Sequence, residues 1–375
     1  VTGRRSGRRS GRGPGRVVVV GRGEPERGGI PSYLAMMVRA EEGLGRTVVL
    51  VNLSPPGGSE GGTTSWANLR RTLGDAWRVL TTARRGDVVH VHSALAPTVT
   101  ALRAGSLLVA GRLRGAVTVL HAHGGRLAQQ PPQGRSRRLT ALALRPAAVV
   151  VPVAEVVREA LVALGVPPAR MRLVTNGVDV ARFADATPRE PRGDVPRVLF
   201  VGGLTTRKGV LDLAEASRTL HAEGVAHELW VAGGVPDEGD GAREDVLAGL
   251  PEETRLLGAV PPEEIAEVYA SCDVFCLPSW WEAMPLTVLE AQAAGLPVVA
   301  TAVGDVPLMV ADGDDGRVVA ARDVPALTAA LGALLADPDL RGRMGRRAQD
   351  SARGRDQRDT IRSLASLFDE LLDVP

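Results

Sequence analysis

Of the 45 basic residues in this 375-residue chain, a single one is lysine, Lys208. Cysteine is almost as scarce: Cys272 and Cys276 are the only two, which excludes a disulfide framework. They flank an apolar run and are expected to pack rather than pair. Aromatic residues make up 3% of the chain, but a hydrophobic content of 44% still supports substantial cores. No apolar run approaches the ~20 residues that a membrane-spanning helix needs. Val17–Val20, after the basic start, is too short for the apolar core of a secretory signal. Together these absences set the expectation of a cytoplasmic protein. The glycines after Val20 do not have the G-x-G-x-x-G spacing, so a dinucleotide-binding fingerprint is unsupported.

Acid is missing in two places, and the charge is correspondingly uneven. Residues 1–16 hold six arginines (Arg4, Arg5, Arg8, Arg9, Arg12, Arg16) and no acid, so the +2 net charge leaves 2 − 6 = −4 for the rest. Alternating Gly, Ser and Arg read as a disordered tail, residues 1–16. Between Val88 and Ala154 lie eight arginines (Arg103, Arg112, Arg114, Arg126, Arg135, Arg137, Arg138, Arg145), again without an acid. This basic first half is expected to meet an anionic membrane surface, with the protein peripheral on its cytoplasmic face. An arginine-rich composition with no partner behind it is the rival reading. No nucleic-acid partner is expected.

What is present is an alternation of short apolar runs and helical spacing, the pattern of a doubly wound parallel α/β fold. Strands are expected at Val17–Val20, Val48–Leu53, Val88–His92, Val117–His121 and Val149–Val153, forming a first domain over residues 17–184. Asn176-Gly177-Val178-Asp179 is a turn in a chain with only three asparagines. Residues 185–196, rich in Pro, Arg and acid, read as a linker. A second cycle over 197–351 places strands at Val198–Val201, Glu228–Ala232, Leu256–Val260, Val274–Leu277 and Val298–Thr301. Helices are expected over Asp323–Ala336, Pro338–Ser351 and Gln357–Leu372.

The chemistry concentrates between Pro278 and Gly304. The strand Val274–Leu277 opens into a loop carrying Trp280, Trp281 and Glu282. A helix from Leu286 to Ala294, stopped by Gly295 and Pro297, then carries Glu290. Open α/β sheets bind ligands at such a strand-to-helix crevice, and a helix N-terminus suits phosphate. Carboxylates accept hydrogen bonds from sugar hydroxyls. Two of them around a phosphate-friendly helix start therefore suggest a sugar nucleotide. The lone lysine sits in a second Gly-rich loop, Gly202-Gly203-Leu204-Thr205-Thr206-Arg207-Lys208-Gly209.

Glu282 and Glu290, within Ser-x-x-Glu-Ala-Met-Pro-Leu…Glu-Ala-x-Ala-x-Gly-x-Pro-Val-Val, resemble the E-x7-E signature of retaining family 4 glycosyltransferases (GT4, group 1). The resemblance covers nearly the whole chain after residue 16. It implies a GT-B fold: two Rossmann-like domains facing across a cleft, with the last helix returning to the first domain. By that resemblance Glu282, His123 and Lys208 are the catalytic residues. Gly28, Gly29, Arg207, Lys208, Met284, Leu286, Thr287 and Glu290 would bind the donor. Gly28-Gly29-Ile30 is similar to the family's GG-I loop, and His123-Gly124 to its V-T-x-H-G strand end. Gly-Gly-Leu-x-x-x-Lys-Gly resembles G-R-L-x-x-x-K-G, with Gly203 where the family has Arg, and Arg207 is the candidate to replace it.

The implied activity is metal-independent, retaining transfer from a nucleotide sugar to an acceptor hydroxyl. A UDP-sugar is the expected co-substrate, no other cofactor is expected, and polysaccharide or glycolipid assembly is the expected context. The acceptor is left among a glycan, a glycolipid and a small molecule. A lysine-bound pyridoxal phosphate phosphorylase and a non-catalytic sugar-nucleotide-binding protein are the other classes. Two His pairs, His90/His92 and His121/His123, each project to one side of a strand. No acid or cysteine lies nearby, so no metal site is expected. Asp312-Gly313-Asp314 reads as a turn.

Overall fold

The computed structural model describes residues 16–23, 29–53, 66–234 and 243–372. Arg4, Arg5, Arg8, Arg9, Arg12, Gly28 and the loop Ser54–Thr64 lie outside the described residues.

The first sheet contains β1 (Arg16–Gly21), β2 (Thr47–Asn52), β3 (Val88–Ser93), β4 (Val117–Ala122) and β5 (Val149–Pro152), all parallel in the order β2-β1-β3-β4-β5. Helices α1 (Gly29–Gly43), α2 (Trp66–Thr82), α3 (Thr98–Leu113), α4 (Gly125–Gln129), α5 (Gly134–Leu144) and α6 (Glu155–Ala163) connect and follow its strands. Its central strands are buried on both faces, as a sheet covered on both sides requires, with His90, His92 and His121 set among the apolar residues of the α1 side. Alternation along β1 divides the core: Val18 and Val20 face α2, α3 and α5, whereas Val17 and Val19 face Tyr33 and Met37 of α1.

Short α7 (Val180–Ala184) leads to the second sheet. Its strands are β6 (Arg197–Val201), β7 (Glu228–Ala232), β8 (Arg255–Gly258), β9 (Val274–Leu277), β10 (Val298–Thr301) and β11 (Gly316–Val319), parallel in the order β11-β10-β9-β6-β7-β8. Its helices are α8 (Val210–Ala222), α9 (Arg243–Ala248), α10 (Ile265–Ala270), α11 (Leu286–Ala293), α12 (Val306–Met309), α13 (Val324–Ala336) and α14 (Pro338–Arg353). The last, α15 (Gln357–Leu372), returns to the first domain, where Leu364, Leu367 and Phe368 complete the α1-side core. Arg46 fastens it there, donating to Asp369 Oδ1 at 2.5 Å and to the Ala365 carbonyl at 2.9 Å.

Four local features differ from the expectations above. Arg16 opens β1 rather than closing a tail: it donates to the Thr82 carbonyl and lies 3.4 Å from Asp87. Strand β11 was not expected, because Gly-Arg-Val-Val at a sheet edge has little apolar signal. Helix α7 packs on the second domain, with Phe183 edge-on to Tyr269 at 5.6 Å. The chain therefore crosses between domains at Val178, ahead of the expected linker. It crosses back at Asp356: Val178 N–H donates to Arg355 O and Gln357 N–H to Val178 O, side by side. Gly177 permits that approach, since a Cβ there would fall 2.6 Å from Gln357 Cα. Both cysteines are buried and free.

Candidate active site

Glu282 and Lys208 occupy two loops at the carboxyl ends of neighbouring strands, β9 and β6. The loops are tied together by backbone. Trp280 N–H donates to Arg207 O at 2.9 Å, and Gly209, at φ +69°, lies so close to Pro278 O that a Cβ would be 1.9 Å from it. The Trp280 indole donates to Asp212 Oδ2 at 2.8 Å, anchoring the pair to α8. Held this way, Lys208 Nζ donates to Glu282 Oε1 at 2.5 Å and Ser279 Oγ donates to the same oxygen at 2.8 Å. Arg207 NH1 stands 3.8 Å from that oxygen and donates to Trp281 O at 3.3 Å. Burial alone would push the Glu282 carboxyl up, but the Lys208 and Arg207 charges and the two hydrogen bonds outweigh it and hold the group below its ordinary value. Glu282 is thus an anion in a cationic niche.

Glu290, one helical turn into α11, has a different setting. Tyr269 OH donates to its Oε2 at 2.9 Å. Burial pushes its carboxyl up, against the Tyr269 bond and the Arg182 charge. The first turn of α11 starts at Pro285 without a side-chain cap, so its backbone N–H groups are available to an anion. Leu286 and Thr287 lie in that turn, partly buried, and Met284 is buried just ahead of it. Thr287 Oγ1 and, in the lysine loop, Thr205 Oγ1 are buried without a hydrogen-bond partner. Groups of this kind are costly unless something satisfies them.

The first domain closes onto this corner. A Cβ on Gly125, at the start of α4, would lie 2.2 Å from the Glu282 backbone. Asn176 Nδ2 donates to Met284 O at 2.7 Å. Asp305 accepts from the N–H groups of Glu155 (2.6 Å) and Val156 (3.0 Å) and so caps α6 across the domain boundary. His123, two residues before Gly125, is partly buried; its Nε2 and His92 Nδ1 are 2.9 Å apart, and Tyr33 lies edge-on to it at 5.1 Å. His90 Nε2 and His121 Nδ1 pair likewise at 3.1 Å. Burial lowers His90 and His123 to about 3, so all four rings are neutral at ordinary pH, a direction shared by His92 and His121.

The structure therefore brings Glu282, Lys208 and Arg207 together and sets Glu290, Met284, Leu286 and Thr287 beside them. Gly29 is exposed at the start of α1, after the carboxyl end of β1, with nothing within 4 Å of a Cβ placed there. Asp312-Gly313-Asp314 is a turn, with Gly313 at φ +83° and Asp312 accepting from Val318 N–H. Thr205, Asp305 and Asn176 were not singled out from the sequence as site residues, since each acts through a partner remote along the chain or by being unpaired; Ser279, three residues before Glu282, was passed over as a loop serine.

Two parallel α/β sheets facing across such a cleft define the GT-B class. The solved structure of sucrose-phosphate synthase from Thermosynechococcus elongatus matches 96% of this chain and 100% of its own at a TM-score of 0.79 and 19% identity. Anabaena HepE in complex with UDP-glucose matches at 0.72 and 16% identity, over 94% and 99% of the two chains. Residues 16–182 match the model described as Glycosyltransferase Family 4, and residues 195–337 the one described as Glycosyl transferases group 1. The chain belongs to this family of glycosyltransferases. A D-inositol 3-phosphate glycosyltransferase of Corynebacterium urealyticum is 34% identical over 224 residues, which are 55% of this chain. The match spans about half of that relative's length, 53%.

Proposed function

We propose that the protein transfers a sugar from a nucleotide sugar to an acceptor hydroxyl with retention of anomeric configuration and without a metal ion. The observation that carries this is the Lys208–Glu282 pair at the start of α11, pressed upon by Gly125 of the opposite domain. The diphosphate would lie against the α11 N-terminus and take Lys208 and Arg207 as counter-charges, with Arg207 standing in for the arginine absent at Gly203. Thr205 and Thr287 are free to donate to it. Charge that develops on the departing diphosphate as the glycosidic C–O bond breaks would then meet preorganised cations, which lower the barrier directly. Glu290 would accept from the ribose hydroxyls, and Glu282 from hydroxyls of the transferred sugar. His123, neutral and tethered to His92, offers a polar ring nitrogen from the acceptor side. A retained configuration places the acceptor on the face that the diphosphate leaves, so the departing phosphate oxygen can take the acceptor's proton.

A UDP-sugar is the proposed donor, in keeping with the UDP-glucose bound by Anabaena HepE. For the acceptor, a glycan or glycolipid at an anionic membrane surface fits the arginine-rich first domain. The name of the corynebacterial relative makes a phosphorylated polyol the small-molecule acceptor to test beside it. The proposed location is cytoplasmic, peripheral on the inner membrane face. A thermal-shift and hydrolysis screen across UDP-, GDP-, ADP- and dTDP-sugars tests the donor, and the anomeric proton coupling of the product tests retention. Stabilisation by nucleotides with no turnover of any donor would favour the binding-protein reading that Gly203 raises.

A further inference from the structure

Helix α3 packs between α2 and α5, and the three form one layer over the α2-side face of the first sheet. Their inward sides supply core. Their outward sides carry an unusual set of residues. On α2, Trp66 (82% exposed), Leu69, Leu73 and Trp77 (65%) recur at spacings of three and four, which lines them along one ridge. Leu102, Val109 and Leu113 (74%), seven and four residues apart, line up along α3, and Leu139 and Leu142 are exposed on α5. Nine of the sixteen exposed large hydrophobic residues among the described ones therefore lie on these three helices. Around them stand exposed Arg70, Arg71, Arg78, Arg112, Arg135 and Arg138. The three helices hold one acid, Asp75, which is buried and engaged by Arg103 at 2.5 Å. No exposed carboxylate interrupts the face.

From this we infer that the outer face of α2, α3 and α5 is the surface by which the protein lies on an anionic lipid bilayer, with Trp66 and Trp77 seated at the headgroup boundary. The inference rests on the membrane reading above and names the face. Apolar ridges with tryptophan, rimmed by arginine and free of acid, match an interface whose outer zone is anionic and whose inner zone is hydrocarbon. A second copy of this chain fits worse, because a two-fold contact would set arginine against arginine. Helix α2 ends just before β3 begins, so Trp66, at its other end, lies toward the edge where the strands finish. His123 and Gly125 follow β4 at that same edge. An acceptor drawn from the bilayer would therefore reach the cleft from the docked side.

Sedimentation with vesicles of phosphatidylcholine plus phosphatidylglycerol, and with phosphatidylcholine alone, tests this on the full chain. Wild type should pellet with the anionic vesicles only, lose binding as salt is raised, and show a blue shift of tryptophan emission. Trp66→Ala/Trp77→Ala should bind at least ~10-fold more weakly and lose the shift. Arg70→Glu/Arg71→Glu should weaken binding while keeping the fold, as read by circular dichroism. Undiminished binding by the Trp variant would overturn this face and leave the membrane reading standing. Wild type that stays in the supernatant with anionic vesicles would overturn both. So would a concentration-dependent dimer, abolished by Trp66→Ala/Trp77→Ala, in a protein that ignores vesicles.

Discussion

Asp305, from the loop after β10, receives two backbone N–H groups at the start of α6 in the other domain, from Glu155 at 2.6 Å and Val156 at 3.0 Å. This is a helix cap supplied in trans, and it sits at the same boundary as the Gly125–Glu282 contact. Removing a cap of this kind costs about 1 kcal/mol. Asp305→Ala should therefore leave each domain folded but shift the molecule toward an open arrangement. Small-angle scattering should show a larger radius of gyration, and kcat should fall with little change in nucleotide affinity. An unchanged scattering profile with unchanged turnover would remove Asp305 from the closing contact.

The two carboxylates should separate by role. Glu290→Gln should weaken nucleotide binding in calorimetry, because its partner Tyr269 holds it away from the cationic niche. Glu282→Gln should chiefly lower kcat, since the niche of Lys208, Arg207 and Ser279 loses its anion. Wild-type kinetics in both variants would rule out these assignments.

Lys208→Ala should lower kcat by roughly 10²-fold, the usual loss for one preorganised charge-stabilising donor. Lys208→Arg should recover part of it, because a planar guanidinium cannot reproduce a compact ammonium against Glu282. Chelation with EDTA should leave the wild-type rate unchanged; inhibition reversed by a divalent ion would contradict metal independence.

The histidine column predicts an acid-sensitive fold. His90 and His123 are held neutral by burial down to about 3, whereas the unfolded chain takes up their protons near 6.5. Between those values the unfolded state binds more protons, so stability is fully present above about pH 6.5 and is lost as pH falls toward 3. Glu282, held below its ordinary value, adds to the loss at the acid end. Urea midpoints across that range should fall, and the fall should be shallower in His90→Asn/His121→Asn.

Much of this architecture was legible in the residues. Val274–Leu277, Gly295 and Pro297 mark a strand, a helix stop and the next strand, because apolar runs and breakers act locally. The meeting of Lys208 with Glu282 was not legible that way. It followed from resemblance, since the two loops join only when β6 and β9 become neighbours in the sheet. Asp305 left no signal, and Asn176 signalled only a turn. Each bonds a backbone atom more than a hundred positions away, and a backbone group has no letter in the sequence. Arg16 was misplaced because composition groups it with the tail, whereas Asp87 and Thr82 draw it into β1.

The paired crossings at Val178 and Asp356 have a mechanical consequence. One connection alone would let the domains swivel freely about a point. Here two stretches of backbone run side by side, bonded through Val178 to Arg355 and Gln357, with Thr360 Oγ1 reaching the Thr175 carbonyl at 2.9 Å. A ribbon bends readily across its flat face and resists twisting about its length. Any opening of the jaw that holds Gly125 against Glu282 would therefore run as a bend across this ribbon, and closing would return the same two surfaces to the same register.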